Sequence, residues 1–338
     1  MKVLVILGPT ATGKTDIALH LARKLNGELV ACDSRQVYVG LDIGTGKMPG
    51  RQNPKYAIRN TNNNSNFEIC ASDLSKHNGY WMMDGIKIWM YDVTDPKKQY
   101  DVAQYIRGTT KVINDISNKG KLPIIVGGSG LYLKGILQGF STLGFPINKQ
   151  LRKSLEGFSL KVLQSKLKKL SREKWQGLNN SDKNNPRRLI RAIELENLPR
   201  RSPYGHLRGV TPANVLKIGL KASREMLNQR IDARVLSRMD QGMVEETEQL
   251  HKDGLSISRM RELGLEYGVL ADYLEGNIDK EQLVKMMQIK IHRYAKRQMT
   301  WFNKEKDVRW FDISRAGWQE KVAKLALYWY NNGVTSNK

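Results

Sequence analysis

The residues Gly8-Pro9-Thr10-Ala11-Thr12-Gly13-Lys14-Thr15 fit the pattern G-x-x-x-x-G-K-[ST]. They follow the apolar run Val3 to Leu7 and open an amphipathic stretch, the setting that a phosphate-binding loop requires. The glycines let the backbone wrap an anion, the freed N–H groups point inward, and a helix N-terminus adds positive potential. Lys14 adds a mobile cation, and Thr15 offers a hydroxyl to a magnesium ion. The pattern speaks for a di- or triphosphate. Kinases, NTPases and transferases all share it.

Two carboxylates end apolar runs. Asp33 closes Leu29-Val30-Ala31-Cys32, and Asp92 closes Ile88-Trp89-Met90-Tyr91. In a parallel sheet both lie at the C-terminal edge beside the phosphate loop, each as a metal-associated group or a general base. Asp92 also fits a plain turn before Val93-Thr94-Asp95-Pro96. Asp33-Ser34-Arg35-Gln36 sets four polar side chains directly after a buried strand, a costly arrangement for a loop alone, with a solvated loop as the plainer alternative. Arg230 and Arg234, four residues apart, share a helix face. Arg188 and Arg191, three apart, share another, with Arg187 beside them. Guanidinium forks suit phosphates, although a solvated basic face explains either set. Over residues 292–302, Trp301 and Phe302 are expected in the core, with Arg293, Lys296 and Arg297 outward.

These groups need a frame. Val3 to Leu7 predicts a buried strand and residues 16–26 a helix closing before Gly27. Strands follow at 28–32, 86–91 and 122–126, with a helix over 101–117. This alternation predicts an α/β fold: a P-loop NTPase-like parallel sheet flanked by helices. Residues 50–80, with Thr61-Asn62-Asn63-Asn64-Ser65-Asn66, read as an irregular surface insertion. Residues 142–210 change to a basic helical pattern and predict a small all-helical domain inserted in the core. The core is then residues 1–141 and 211–338, the second part mainly helical. It has a return strand at 216–220 and long helices at 223–253 and 279–303.

Composition limits the class of protein. The 338 residues exceed one average domain and are enough for a sizeable core. Two cysteines, Cys32 and Cys70, exclude a disulfide scaffold and a four-Cys zinc site. No apolar run approaches the roughly 20 residues that span a bilayer. The N-terminal run is too short for a signal-peptide core. A soluble, cytoplasmic protein without membrane association is the expectation. The net charge is +23. Residues 141–220 hold 17 Lys or Arg against 5 Asp or Glu, or +12, while residues 221–338 hold 21 against 17, or +4. Half of the excess thus falls in under a quarter of the chain, and this segment is a candidate nucleic-acid surface.

Taken in order, the blocks resemble a known family. Gly8 to Thr15, Asp33-Ser34-Arg35-Gln36-Val37-Tyr38 and Leu41-Asp42-Ile43-Gly44-Thr45-Gly46-Lys47 are followed by Tyr91-Asp92-Val93-Thr94-Asp95-Pro96. Then come Pro123 to Tyr132, Asn185 to Glu194 and Tyr294 to Phe302. This ordered set is similar to the tRNA dimethylallyltransferases, or tRNA isopentenyltransferases, over most of the chain. The resemblance implies transfer of a dimethylallyl group from dimethylallyl diphosphate to N6 of adenine 37, beside the anticodon of a tRNA, with release of diphosphate. It implies that the phosphate loop grips the donor's diphosphate, with magnesium at Thr15, and that Asp33 is the general base. Ser34, Arg35 and Gln36 then hold the adenine, Ser129 takes the place of a tRNA-contacting threonine, and Arg230 and Arg234 match arginines near the diphosphate. Arg187, Arg188 and Arg191, with Arg152 nearby, match tRNA contacts on the anticodon stem-loop. A monomer is implied.

Two departures stand out. Ile88-Trp89 replaces a frequent His-His pair, and the insertion at 50–80 is longer than usual. An adenylate isopentenyltransferase acting on free AMP shares the fold, but the +12 segment favours RNA. A small-metabolite kinase and a non-catalytic RNA-binding module complete the alternatives.

Overall fold

The computed structural model describes residues 1–47, 74–140, 145, 147–198, 210 and 214–332. They form two compact units, residues 1–137 with 210–338, and residues 138–209.

The larger unit is built on an eight-stranded sheet. In chain order the strands are β1 (Lys2–Leu7), β2 (Gly27–Cys32), β3 (Leu74–His77), β4 (Tyr80–Met83), β5 (Ile86–Trp89), β6 (Leu122–Gly127), β7 (Asn214–Lys221) and β8 (Val308–Asp312). Their order across the sheet is β3-β4-β5-β2-β6-β1-β7-β8. The six strands from β5 to β8 run parallel, and β3 and β4 add an antiparallel edge. The central position of β1 follows from its sequence. Val3 to Leu7 are apolar without alternation and all buried, as a strand covered on both faces requires. Helices Lys14–Lys24, Val102–Asn118 and Lys280–Phe302 turn apolar stripes inward. Asp101 and Asp279 each start theirs with a reciprocal capping box. Among the described residues, no helix is long and apolar enough to cross a membrane.

The smaller unit contains helices Lys149–Glu156, Leu160–Leu170, Arg172–Gly177, Asn180–Lys183 and Pro186–Glu196. Its own core holds Leu155, Leu163, Leu167, Leu189 and Ile193. Asn148, Ser171, Asn179 and Asn185 cap helix starts through their side chains.

Several expected elements change. The helix expected over 223–253 is two, Arg224–Asp240 and Met243–Lys252, because Gly242 takes a left-handed conformation (φ 92°) between them. The strand expected to reach Tyr91 stops at Trp89, where Met90 and Asp92 turn left-handed. The irregular insertion at 50–80 is corrected at its C-terminal end, since Leu74–His77 and Tyr80–Met83 are paired strands. Residues 50–73 lie outside the described residues. Strand β8 was not anticipated. Trp301 is not in the core. It is 37% exposed and lies against Gly130, while Phe302 is buried.

Asp92 has both oxygens engaged. The Trp81 indole donates to Oδ2 at 2.6 Å, and Lys47 pairs with Oδ1. Lys47 is fully buried and also donates to the Tyr38 carbonyl (2.6 Å) and to Asp42 (2.9 Å). The reading of Asp92 as a metal-associated group or base is therefore corrected. It is half of a buried ion pair that ties the segment after β2 to the segment after β5. Lys47→Met leaves Asp92 facing Trp81 with an unpaired charge. We expect a loss of about 3 kcal/mol, the scale for removing one partner of a buried pair, measured by urea unfolding.

Candidate active site

The phosphate loop joins β1 to the helix Lys14–Lys24, at the C-terminal edge of the sheet. It fits because Gly8 (φ 145°) has no side chain, since a Cβ there would stand 2.4 Å from the Leu220 carbonyl oxygen of β7. Gly13 caps the helix in a left-handed conformation and brings no side chain, which leaves the first amides of the helix open. Within the loop, Thr12 Oγ1 and Lys14 Nζ both donate to the Pro9 carbonyl, at 2.9 and 2.6 Å. The Thr10 amide donates to Gln298 Oε1 (2.9 Å), and Gln298 Nε2 donates to the Gly128 carbonyl (2.9 Å). Gln298 thus ties the phosphate loop to the segment after β6. The Thr15 hydroxyl makes no hydrogen bond among the described residues.

The helix Arg224–Asp240 faces this loop with arginines one turn apart. Arg230 Nη1 donates to the Ala11 carbonyl (3.4 Å), Arg234 Nη1 to Thr10 Oγ1 (3.3 Å) and Arg238 Nη1 to the Gly44 carbonyl (3.1 Å). Arg238 was not singled out by sequence. The signal was available, because it continues the four-residue spacing of Arg230 and Arg234. Gly46 (φ 66°) admits the cluster, since a Cβ there would meet Arg234 Nη2 at 2.0 Å and Arg238 Nη2 at 2.1 Å.

The cations are crowded and short of counter-charge. Desolvation and then Arg234 lower Lys14 to about 7, against an opposing pull from Asp33. Arg238 and then desolvation lower Arg234 to about 9. Burial also lowers Arg230, and it lowers Arg238 despite Glu266. Desolvation raises Asp16 at the foot of the loop, against the opposing pull of Arg234 and Arg230. A multiply charged anion beside Thr10 and Lys14 would relieve all four cations.

Asp33 follows β2 directly, largely buried. Its Oδ1 accepts the Arg35 amide at 2.9 Å, and Arg35 Nε stands 3.8 Å away. Ser34 is exposed, and its amide donates to Ser129 Oγ (3.3 Å). The structure thus brings Asp33, Ser34 and Ser129 together at the ends of β2 and β6, within electrostatic reach of Lys14 and Arg234. Arg35 is different. Its Nη1 donates to Glu266 Oε2 at 2.6 Å, and its guanidinium lies 5.1 Å from the Tyr294 ring centroid. Although burial opposes it, Glu266 with Asp33 holds the charge on Arg35 firmly. Gln36 Nε2 is directed to the Thr45 and Gly46 carbonyls at 3.3 and 3.4 Å. Through these bonds both side chains help shape the walls of the site.

In the helical unit, Glu194 is fully buried and accepts from Arg152 Nη2 (2.7 Å), Arg191 Nη1 (2.5 Å) and the Asn148 amide (2.6 Å). Burial alone would raise Glu194, and these bonds outweigh it and hold it below the usual carboxylate range. Arg152 and Arg191 are therefore tied to one buried carboxylate and stay partly exposed. Arg188 pairs with Asp182 at 2.5 Å on the surface. Arg187 is exposed with no partner among the described residues.

Among the described residues, no cluster of three or more His, Cys, Asp or Glu side chains suits a metal. Magnesium needs no such cage. It keeps most of its waters and binds through one or two protein oxygens plus substrate phosphates. The open Thr15 hydroxyl beside an anion-seeking loop fits that mode.

A parallel sheet with this loop at its C-terminal edge defines a P-loop α/β protein shaped for a polyphosphate, with a carboxylate beside it. The model of the family described as IPP transferase matches residues 77–305, and that described as isopentenyl transferase matches residues 1–53. The chain is 36% identical over 304 residues to tRNA dimethylallyltransferase 1 of Geotalea daltonii, covering 89% of this chain and 86% of that one. A full-length tRNA isopentenylpyrophosphate transferase from Bacillus halodurans has a crystal structure similar to this one. The TM-score is 0.63 at 30% identity, over 97% and 95% of the two chains. A eukaryotic dimethylallyltransferase acting on tRNA shares the fold at TM-score 0.70 and 21% identity, over 99% of this chain and 81% of that one. The chain belongs to the IPP transferase family, and its activity is that of a tRNA dimethylallyltransferase.

Lys14 gives a pH signature. Near 7 in the free protein, it is largely neutral at pH 8. A bound diphosphate returns it toward the ordinary lysine range by opposite charge. Pyrophosphate binding at pH 8 should then take up close to one proton more than binding to Lys14→Met. The excess should vanish near pH 6, where Lys14 is already charged, and affinity should fall as pH rises through 7. Calorimetry in two buffers of different ionisation enthalpy measures the uptake.

Proposed function

We propose that the phosphate loop and its arginines hold the diphosphate of dimethylallyl diphosphate, and that Asp33 takes the proton from N6 of adenine 37 in tRNA. The observation that carries this reading is a cluster of desolvated cations at the phosphate loop, with the Asp33 carboxylate beside it. In the reaction a C–N bond forms between the allylic carbon and N6 while the allylic C–O bond breaks. The N6 proton goes to Asp33, and the bonding pair leaves with diphosphate. Negative charge develops on the leaving oxygens, where preorganised donors act most strongly. Loop amides, Lys14, Arg230 and Arg234 supply these. Magnesium, held by Thr15 and the diphosphate, would neutralise part of the same charge.

Ser34 and Ser129 are the polar side chains beside Asp33 suited to holding the adenine. The base must leave its stack to reach a site behind a strand end. The helical unit, basic on its surface and carrying Arg187, exposed and without a partner among the described residues, would bind the anticodon stem-loop. That basic unit supports tRNA over free AMP as the acceptor.

The direct test supplies magnesium, dimethylallyl diphosphate and an unmodified tRNA with adenines at 36 and 37, and analyses the digested nucleosides by mass spectrometry. Isopentenyl adenosine at position 37 is the expected product. A prenylated AMP with unmodified tRNA would overturn the acceptor. Asp33→Ala should slow single-turnover transfer by about 100- to 10,000-fold, the range for losing a general base, with tRNA affinity retained in filter binding. Arg187→Ala should weaken tRNA binding and reduce the slope of log affinity against log salt by about 1, the signature of one lost phosphate contact.

A further inference from the structure

Glu266 lies in the first turn of the helix Leu265–Leu274, far in sequence from Asp33 and the phosphate loop, and is buried. Its two oxygens serve two different arginines. Oε2 accepts from Arg35 Nη1 at 2.6 Å, and Oε1 from Arg238 Nη1 at 3.3 Å. Arg35 is the neighbour whose amide and guanidinium flank the Asp33 carboxylate. Arg238 is the neighbour whose charge does most to depress Arg234 beside the phosphate loop. A single carboxylate therefore stands between the group that takes the proton and the groups that take the diphosphate. Next to it, Tyr267 donates to Glu246 Oε1 (3.0 Å). Glu246 accepts the amides of Asp42, Ile43 and Gly44 at 3.0, 2.7 and 3.2 Å. This loop carries the Gly44 carbonyl that Arg238 holds.

Resting on the function proposed above, we propose that Glu266 is a positioning residue that keeps Arg35 from closing on Asp33 and limits the positive charge around the diphosphate. With Glu266 in place, Arg35 Nη1 is drawn to it and only Nε remains near Asp33, at 3.8 Å. Without its charge, Arg35 turns its fork onto Asp33, blocks an oxygen needed for the N6 proton and weakens it as a base. The same loss removes a negative charge beside Arg238, which keeps its bond to the Gly44 carbonyl, and makes the field at the phosphate site more positive. The two effects have opposite signs, because chemistry slows while diphosphate binding tightens. Damage to the fold alone would weaken both.

The test compares the full-length protein with Glu266→Gln, close in shape without the charge. Single-turnover transfer to tRNA at saturating donor should fall on the order of 100-fold, the cost of a misplaced catalytic group. Pyrophosphate affinity should rise on the order of tenfold, as loss of one nearby opposing charge implies. Glu266→Asp, which keeps the charge, should bind pyrophosphate within about twofold of the parent and transfer faster than Glu266→Gln. Weaker pyrophosphate binding together with slower transfer in Glu266→Gln, or an unchanged transfer rate, overturns the proposal. If Glu266→Gln does not fold, Glu266→Asp carries the test. Slower transfer at parental pyrophosphate affinity supports the role, and parallel loss of both overturns it. Failure of the parent protein itself to prenylate tRNA overturns the underlying function, a result independent of any Glu266 variant.

Discussion

Like charges packed beside the phosphate loop set the terms for this site. Arg230 and Arg234 reach the loop that carries Lys14, and Arg238 stands one turn further on, at the Gly44 carbonyl. Desolvation disfavours the charge on each of them, and neighbouring arginines add repulsion at Lys14, Arg234 and Arg238. Such an arrangement persists only where the surrounding fold enforces it, and an anion turns the stored repulsion into binding. The buried strands β1, β2, β6 and β7 provide the rigid base from which loop and helix are held at this distance.

The enforcing contacts come from carboxylates and amides outside the phosphate motif. Glu246 grips three consecutive amides of the 42–44 loop, Glu266 spans two arginines, and Gln298 staples Thr10 to Gly128. All three sit on C-terminal helices. The phosphate loop is read early in the chain, whereas its arginines and the residues that fix its geometry arrive late.

Much of the sheet was legible in the sequence because its signals are local. Val3 to Leu7 is apolar throughout, and the phosphate loop has a fixed spacing, so strand, turn and helix followed directly. Asp33 was legible for the same reason, as a polar cluster against a buried strand. What was not legible depends on pairing across long separations. Nothing beside Asp92 in sequence announces Lys47 and Trp81, which turn a candidate base into a buried structural anion. Arg152 and Arg191 read as a basic surface, and their shared tie to the buried Glu194 shows only in the fold. Glu266 carried no local pattern at all, since its role exists only once Arg35 and Arg238 meet. The Gly242 break and strand β8 were missed because apolar periodicity continues across a single left-handed residue and is faint in a short edge strand.

The order of the strands has a consequence for how the chain is made. Strand β1 emerges first, yet one of its neighbours, β7, pairs Lys2 with Asn214. Between them lies the helical unit with a core of its own. On a ribosome that unit completes its local contacts while β1 still has an open edge, and the sheet closes only after residue 221 is available. Strand β1 is therefore an exposed, apolar template during synthesis. Premature termination within residues 138–209 leaves a phosphate loop without the Arg230–Arg238 wall, and with the sticky flank of its strand still uncovered.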